Sequence, residues 1–446
     1  MEWIRAGMFG TDITLVVVPT DSVYGNNVPL MKLTGLWLHT EFRKLWGGQG
    51  ISLIGHRVMF FALQLTAVVV LEATPFQMGI VIAMQGVPAI FGIFLGAWSD
   101  RRRQLPIIIG VDVGRSLLLL VIPFAYLLDV LTIELLYFVA FGIGSMSMLF
   151  QIAYRSLLPS VVEREELVEA NSKLELATSG SVAIGPAIGG VLVQAFAAPF
   201  ALIFSSFSFA MSAVLFRWMK IDERRMLADE GPGSSGGAIR DGLRYFRSNK
   251  LLIGIAFSTI NVVLFWSVAG AVWTLYFIRE LEINPGLLGV IFAMGSIGLV
   301  FGSVITSRYA AKFGVGRLMA IGLLVNAVGA ITVPLIAGPM LVIVSVVIVA
   351  QIAVDAGIVM FNIQMVSLRQ AITPDHLQGR LTSIFVVLSR VSVPIGGLLG
   401  GVLGETIGLR NTLFVAAIGI GVAAGWLIYF GVWRVHSLPA IATVEN

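Results

Sequence analysis

The chain has no cysteine and few charged residues. None of its 446 residues is Cys, which excludes disulfides, thiol nucleophiles and zinc–thiolate sites. Charged residues make up 12% of the chain, about half their share in an ordinary soluble domain. A Walker phosphate loop and an H-E-x-x-H zinc motif are also missing. We therefore expect no enzymatic activity, no cofactor and no metal site, and no nucleic-acid binding because the basic residues are spread over short loops.

Apolar residues are abundant instead. They make up 57% of the chain, and the mean hydropathy is +0.93. A membrane-spanning helix needs roughly 20 apolar residues, and the strand-like alternation of a barrel is missing. The sequence therefore predicts an all-α membrane protein with twelve transmembrane helices, which we number spans 1 to 12. Their predicted ranges are 45–71, 76–98, 105–128, 132–154, 173–197, 199–219, 251–278, 285–306, 317–337, 340–363, 381–403 and 411–433.

Lysine and arginine favour the loops at one end of this bundle. The basic loops are those before span 1 and between spans 2–3, 4–5, 6–7, 8–9 and 10–11, whereas the opposite loops hold little beyond Arg279 and Arg410. We name the two sides the basic end and the opposite end. Because cytoplasmic loops carry an excess of Lys and Arg, the basic end is expected in the cytoplasm. The prediction is a multi-pass protein of the plasma (inner) membrane with both termini cytoplasmic.

The second half of the chain repeats the first. Shifting residues 75–93 by 210 onto 285–303 aligns Pro75 with Pro285 and Gly79 with Gly289, among other identities. A shift of 211 brings residues 189–192 onto 400–403, and both segments read GGVL. Both halves start from the same side, so the repeat is parallel, an architecture known in transporters. The expected units are an extension at 1–41, six-helix bundles at 42–219 and 251–433, a linker at 220–250 and a tail at 434–446.

Two segments outside the bundles lead to separate expectations. The 220–250 linker contains a flexible GPGSSGG stretch, and then Ile239, Leu243 and Phe246 recur at helical spacing among arginines. This pattern predicts an amphipathic helix on the inner membrane surface, the alternative being a loop without lipid contact. In the extension, Met31 precedes the first basic segment. Translation from Met31 and a flexible cytoplasmic tail are the two interpretations.

Two motifs connect the chain with a known family. Residues 96–103 read GAWSDRRR, and residues 185–190 read GPAIGG. With twelve spans in two halves, the chain resembles the major facilitator superfamily, whose signatures are G-x-x-x-D-R-x-G-R-R in the loop between spans 2 and 3 and G-P-x-x-G-G in span 5 of antiporters. Residues 155–159, 166–167 and 170–171 resemble the drug:proton antiporter branch of macrolide-efflux and enterobactin-exporter proteins. Arg103 and Gln104 depart from the first signature, and span 4 lacks the intramembrane arginine of many drug antiporters.

The resemblance implies a latch at the basic end and a seam in span 5. Asp100 would pair with cations or with the start of span 11, although the neighbouring arginines could also serve topology alone. The latch residues implied are Gly96, Asp100, Arg101, Gly379 and Arg380, with Asp112 and Arg115 as a supporting pair three residues apart on one helix face. The glycine–proline motif, Gly185, Pro186, Gly189 and Gly190, would form a bendable seam between the halves or simply pack small residues tightly.

Charges inside the spans point to coupling, because each is unfavourable in lipid unless paired or hydrated. Asp355, near the middle of span 10, is the first choice for a proton carrier, and a permanent pair with Arg57 or Arg390 is the alternative. His56 could titrate or be a simple hydrogen-bonded histidine. Glu175, near the inner end of span 5, completes the set of coupling candidates.

The resemblance also implies that spans 1, 4, 7 and 10 line a central cavity. Their methionine, aromatic and amide side chains suit a lipophilic ligand that a few polar groups orient. The candidates are Met59, Phe60, Gln64, Met146, Met148, Phe150, Gln151, Asn261, Trp266, Trp273, Gln351 and Asn362. We expect a monomeric exporter of small amphipathic molecules, drug-like or siderophore-like, in exchange for protons. A metabolite importer or proton symporter and a non-transporting scaffold or receptor are the alternatives.

Overall fold

The computed structural model describes residues 35–100, 102–163, 166–221 and 235–437, and the residues on which the Met31 interpretation depends lie outside these ranges. Across the described ranges the regular structure is helical, which confirms the predicted fold class, and eleven of the helices are long and apolar enough to cross a membrane. The spans are Thr40–Leu65, Pro75–Gly86 with Gly92–Asp100, Gln104–Leu127, Ile133–Leu157, Leu167–Phe196, Ala198–Arg217, Lys250–Leu275, Pro285–Phe313, Val315–Leu335, Met340–Ala371, Asp375–Ile407 and Leu409–Tyr429.

Span 2 is the one that is not a continuous helix. A 3-10 segment, Val87–Phe91, separates its two parts. Pro88 lies in this segment and has no backbone N–H to donate, which interrupts the helical hydrogen bonding. The interruption follows Gly86, where the side chains of Val393 and Pro394 in span 11 leave no room for a Cβ. The two halves therefore contact each other next to the interruption of span 2.

The internal repeat is visible in the backbone. Span 1 continues as a π-helix over Thr66–Val70, and span 7 does so over Tyr276–Glu280, which is the same segment shifted by 210. Glu72 and Glu282, again 210 apart, both have positive φ angles, 48° and 53°. The positive φ is strained for a side chain of this kind, so its presence at both positions shows that the halves copy one backbone design.

The apolar core shows how the halves meet. Near the opposite end, one cluster joins buried residues of both halves, such as Leu65 with Leu275. At the basic end each half has its own cluster, one around Phe216 in the first half and one around Phe361 in the second. The halves are therefore packed together at the opposite end and separate toward the basic end.

Two close glycine contacts hold the joined end. Gly79 of span 2 lies against Gly401 of span 11, where an added Cβ would come 3.0 Å from the Gly401 Cα. Gly289 of span 8 lies against Gly190 of span 5, with a corresponding distance of 2.8 Å. Positions 79 and 289 are 210 apart, and positions 190 and 401 are 211 apart, so both pairs are equivalent in the repeat. The two contacts are therefore one contact that the pseudo-symmetry repeats. Small residues allow helix backbones to approach this closely.

The linker helix, Ser235–Ser248, runs beside the basic ends of spans 10 and 11. The Tyr245 hydroxyl donates to the Ile372 carbonyl at 2.6 Å, and the Phe246 ring packs on Phe385 at a centroid distance of 6.1 Å. The helix expected from the linker pattern is therefore present. Its Phe246 contacts protein, and the side chain of Ile239 lies outside the described part of this helix.

Candidate transport cavity

A cavity of about 740 Å³ lies between the two halves, on the side of the basic end. Spans 1, 2 and 4 of the first half and spans 7, 10 and 11 of the second half line it. Arg155 and Arg369, in the last turns of spans 4 and 10, are lining residues at that end. The volume falls in the range of small-molecule sites, roughly 300–1,000 Å³.

Polar contacts between the halves close the cavity at the opposite end. Thr274 donates to the Gln64 side chain, and these two residues are equivalent positions of the repeat, 210 apart. Two equivalent positions can touch only near the axis that relates the halves. Nearby, the Arg279 guanidinium of span 7 donates to the Ala73 carbonyl at 3.0 Å and to the Val68 carbonyl at 3.4 Å. A cation of the second half thus bridges to the backbone of the first.

Five of the twelve candidates for the cavity wall line it. They are Phe60, Met148, Gln151, Trp266 and Asn362. The candidates were restricted to spans 1, 4, 7 and 10, so the contributions of spans 2 and 11 were missed, Gln85 and Phe385 among them. The intramembrane Arg390 was the available signal for span 11, because a charge in that helix requires a polar neighbourhood.

Four other candidates are held inside the first half or at its joint with the second. Met59 is fully buried in the shared core. Gln64 forms the contact with Thr274. Met146 lies against Gly114 of span 3, and the Phe150 ring stacks on the Arg115 guanidinium, 4.5 Å from the ring centre. These side chains pack between neighbouring spans and do not line the cavity.

The remaining three lie in the second half, also away from the cavity. Trp273 packs against Trp266 and Phe277 in the core. Asn261, with its amide nitrogen toward the Gly419 carbonyl at 2.7 Å, ties span 7 to span 12. Gln351 donates to the Asp355 carboxylate at 3.0 Å. Residue type alone gave no indication of these contacts, two of which lie within one helix and one of which joins two helices.

Asp355 and Arg57 form a charged site between the halves. Asp355 of span 10 points at Gly295 of span 8, and Arg57 of span 1 lies against Gly185 of span 5. The two charges interact electrostatically, but their atoms are not within ion-pair distance, and the Arg57 Nε is buried without a hydrogen-bond partner. Neither residue lines the cavity. The pair therefore lies on the side of the bundle where spans 5 and 8 meet.

The other coupling candidates are in different places. His56 and Arg390 line the cavity, and Arg390 donates across the halves to the Gln151 side chain at 3.1 Å. The Arg390 contact does not involve Asp355, so the pairing of Asp355 with Arg390 considered above is not present. Glu175 is exposed on the surface of span 5 and has no part in the cavity.

The Asp112–Arg115 ion pair is present and fully enclosed in the first half. The two side chains are 0% and 3% exposed. The Arg115 guanidinium also lies over the Phe209 ring of span 6 at 4.3 Å and donates to Ser52 of span 1 at 3.4 Å. The pair thus joins spans 1, 3, 4 and 6, because its stacking partner Phe150 belongs to span 4.

The latch residues are only partly described. The side chain of Asp100 and the whole of Arg101 lie outside the described part of the chain. Gly96 and Gly379 have open space where a Cβ would be, and the Arg380 side chain lies beside Gly242 of the linker helix. Whether the latch forms therefore stays a prediction.

The glycines of the span 5 motif each contact a different partner. Gly185 lies against Arg57, Gly189 against the Phe61 ring and Gly190 against Gly289. The Pro186 carbonyl is 2.5 Å from the position of a Cβ at Gly289. The motif therefore runs along span 1 and then crosses span 8, so one face of span 5 touches both halves.

Two six-span halves related by pseudo-symmetry, with a cavity between them, define a transporter of the major facilitator superfamily, a class without enzymatic activity. Residues 36–443 match the family described as transmembrane secretion effector. The match covers most of the chain, and the protein belongs to that family. It is a multi-pass membrane protein.

Relatives and solved structures agree with this assignment. The chain is 26% identical to YfiS, an MFS-type transporter of Bacillus subtilis (strain 168), over 83% of this chain and 88% of the relative. It is 25% identical to BacE of Bacillus amyloliquefaciens, assigned as a bacilysin exporter, over 52% of this chain and 57% of BacE. A mutant of the nucleoside transporter NupG has a TM-score of 0.74 at 12% identity, covering 87% of this chain and 99% of NupG. A bacterial homologue of the lysosomal transporter Spinster, inward-facing and unoccupied, has a TM-score of 0.69 at 13% identity, covering 89% and 97%.

Proposed function

We propose that the protein is a secondary active transporter that exports small amphipathic molecules by alternating access. The observation that carries the proposal is the cavity between two pseudo-symmetric halves, which reaches one end of the bundle and is closed at the other. Such a cavity gives a ligand access to one side of a membrane at a time. The two repeated glycine contacts offer places where the halves can rock against each other.

The basic end is proposed to face the cytoplasm, because the Lys and Arg residues concentrate in its loops. The conformation would then be inward-facing, the state that the Spinster homologue has in its solved structure. Export is favoured over import by the G-P-x-x-G-G motif in span 5 and by the relation to BacE, assigned as an exporter. Efflux of drug-like or siderophore-like compounds is the form of this function that we propose.

Protons are the proposed coupling ion and Asp355 their carrier. The Asp355 carboxylate is half-buried, accepts a hydrogen bond from Gln351 and interacts with Arg57 of the other half. A carboxylate can take up and release a proton, and Asp355 forms no ion pair with another described residue that would fix its charge. Protonation would remove its attraction to Arg57, and this attraction crosses the interface at which the halves must move.

Vesicles with an imposed pH gradient test the coupling. Proteoliposomes containing the wild-type chain should release protons into the compartment in which a transported compound is supplied, because antiport moves protons against the compound, and Asp355→Asn should transport only by exchange. Glu175→Gln is the matched control, because Glu175 is an exposed acid of span 5 that does not line the cavity. Wild-type proton flux in the Asp355→Asn protein would refute the assignment of the carrier.

A cell-based comparison tests export itself. Cells that express the wild type should survive higher doses of some compounds in a broad panel than cells that express Asp355→Asn, with equal amounts of both proteins in the membrane. Equal survival throughout would contradict efflux. The importer alternative has support in the fold shared with the nucleoside transporter NupG, and it predicts faster accumulation of compound in wild-type cells. A scaffold or receptor would show neither effect.

A further inference from the structure

From the charges on its wall, we propose that the cavity binds an organic anion, a molecule in which an apolar body carries a carboxylate or a similar oxyanion. The described lining residues include three arginines, Arg155, Arg369 and Arg390, and His56, but no aspartate or glutamate. The inference rests on the proposed function only in taking this cavity as the substrate site, and it adds the substrate's charge.

Arg390 and Arg155 line the same cavity, and none of its described lining residues is an acid. Arg390 and Arg155 are near enough for their positive charges to interact, and neither forms an ion pair with a residue in the described part of the chain. Both are exposed to the cavity. Two like charges beside an apolar chamber repel each other, and a bound anion would relieve this repulsion.

The neighbouring acids are occupied elsewhere or absent from the wall. Asp112 is buried with Arg115 inside the first half. Asp355 points at Gly295, with Gln351 as its hydrogen-bond partner, and does not line the cavity. The positive charge at the wall is therefore not cancelled from behind by either carboxylate.

The arginines also have hydrogen-bond donors to offer. A guanidinium has five N–H donors and no acceptor, and the contact with Gln151 uses one of those on Arg390. A ligand that presents acceptor oxygens to Arg390 and Arg155 fits these donors, and a cationic group at the same place does not.

The other lining side chains determine what kind of molecular body the cavity can hold. Phe60, Met148, Phe361 and Phe385 offer aromatic and flexible apolar contacts. Arg369 lies over the Phe385 ring at 5.1 Å, which places a charge directly at the border of the apolar region. The geometry therefore suits a molecule with its oxyanion toward Arg390 and Arg155 and its apolar part among these side chains.

Binding of matched probes tests the charge preference. Each probe set keeps one apolar body and changes its charge; the first set is N-acetylphenylalanine, N-acetylphenylalaninamide and phenylalaninamide, followed by sets with larger bodies. Isothermal titration uses the purified full chain in lipid nanodiscs. The acid of at least one set should bind about ten times more tightly, or better, than its neutral and cationic partners. A factor of ten corresponds to a difference of about 1.4 kcal/mol in binding free energy. Equal binding within every set, tighter binding of the amines, or no binding of any acid would overturn the proposal.

Substitutions connect the preference with the arginines. Arg390→Gln and Arg155→Gln should each weaken acid binding about tenfold and leave the binding of the neutral amide unchanged, while Arg390→Lys should retain part of the preference. Arg308→Gln is the control, because Arg308 is exposed on span 8 outside the cavity. Should one Gln variant fail to fold, the other and the Lys variant still decide. Unchanged acid binding in the folded variants would overturn the proposal.

The binding result is separable from the proposed function. Acid-selective binding without transport in proteoliposomes would contradict the transport proposal and leave this inference standing. Proton-coupled export of amines, with no binding of any acid, would contradict this inference and leave the transport proposal standing.

Discussion

Removing the Arg279 guanidinium should open the end of the transporter that is now closed. Arg279 donates to the Ala73 carbonyl at 3.0 Å, and its second contact, to Val68, is long at 3.4 Å. A hydrogen bond from a charged group contributes about 1.5–3 kcal/mol, and a distance of 3.4 Å weakens the second one. Counting a single bond, Arg279→Gln should remove about 2 kcal/mol from the closed state, a shift of roughly thirtyfold in the equilibrium between the two conformations.

The absence of cysteine makes this shift easy to measure. Thr274→Cys places one thiol between the halves, at a position that is 3% exposed in the closed state. An impermeant thiol reagent added on the side of the opposite end should label the thiol at position 274 faster when Arg279→Gln is also present. Any effect of losing the bond to Gln64 is common to both proteins and cancels.

Arg410→Gln is the matched control for this experiment. The Arg410 guanidinium donates to the Pro334 carbonyl at 2.6 Å, a bond of the same kind that joins span 12 to span 9 within the second half. Its loss should leave the labelling rate unchanged, because no contact between the halves is broken. Equal labelling rates with and without Arg279→Gln, or acceleration by Arg410→Gln as well, would refute the role given to Arg279.

Three further outcomes follow from contacts described above. Gly289→Ala brings a Cβ to 2.8 Å from the Gly190 Cα, and overpacking of this kind costs about 1–3 kcal/mol of stability. The variant should therefore transport more slowly and melt at a lower temperature. Gly425→Ala, which has open space around the added Cβ, should change neither property. Asp112→Ala leaves the Arg115 charge buried and unpaired, and it should destabilise the protein by about 3–5 kcal/mol. In thermal unfolding, the double variant Asp112→Ala with Arg115→Met should lose less stability than Asp112→Ala alone, which would confirm the pairing. Tyr245→Phe removes the bond from the linker helix to Ile372 and should speed proteolysis of the linker, with membrane insertion unchanged.

The fold was largely predictable because membrane helices leave strong periodic and compositional signals. Eleven spans appear close to their expected ranges, and the offset of 210 predicted the pseudo-symmetry that the paired π-helices show. The break in span 2 was not foreseen. Pro88 lies within an apolar run, and proline is tolerated in many membrane helices, so the sequence did not distinguish a kink from a 3-10 interruption.

The cavity was harder to predict because residue type does not determine which way a helix faces. Met148 lines the cavity while Met146, two residues away, contacts span 3. Neighbours at this separation lie on different helix faces, and a span that is apolar on every side offers no polar stripe by which to tell those faces apart. The charges carried more information, since the intramembrane Arg390 lines the cavity, although Asp355 and Arg57, considered above as a permanent pair, are not within ion-pair distance.

The glycine contacts have a mechanical consequence. Gly289 lies near one end of span 8, and Phe313 at the other end is 24 residues away, or about 36 Å at 1.5 Å per residue. A rotation of about 15° about the Gly190–Gly289 crossing would therefore displace the far end of span 8 by about 9 Å, with almost no movement at the glycines. If the halves rock about this contact during transport, span 8 would act as a lever with its pivot near one membrane surface, and a small change of angle at a contact too tight for any side chain would become an opening wide enough for a solute.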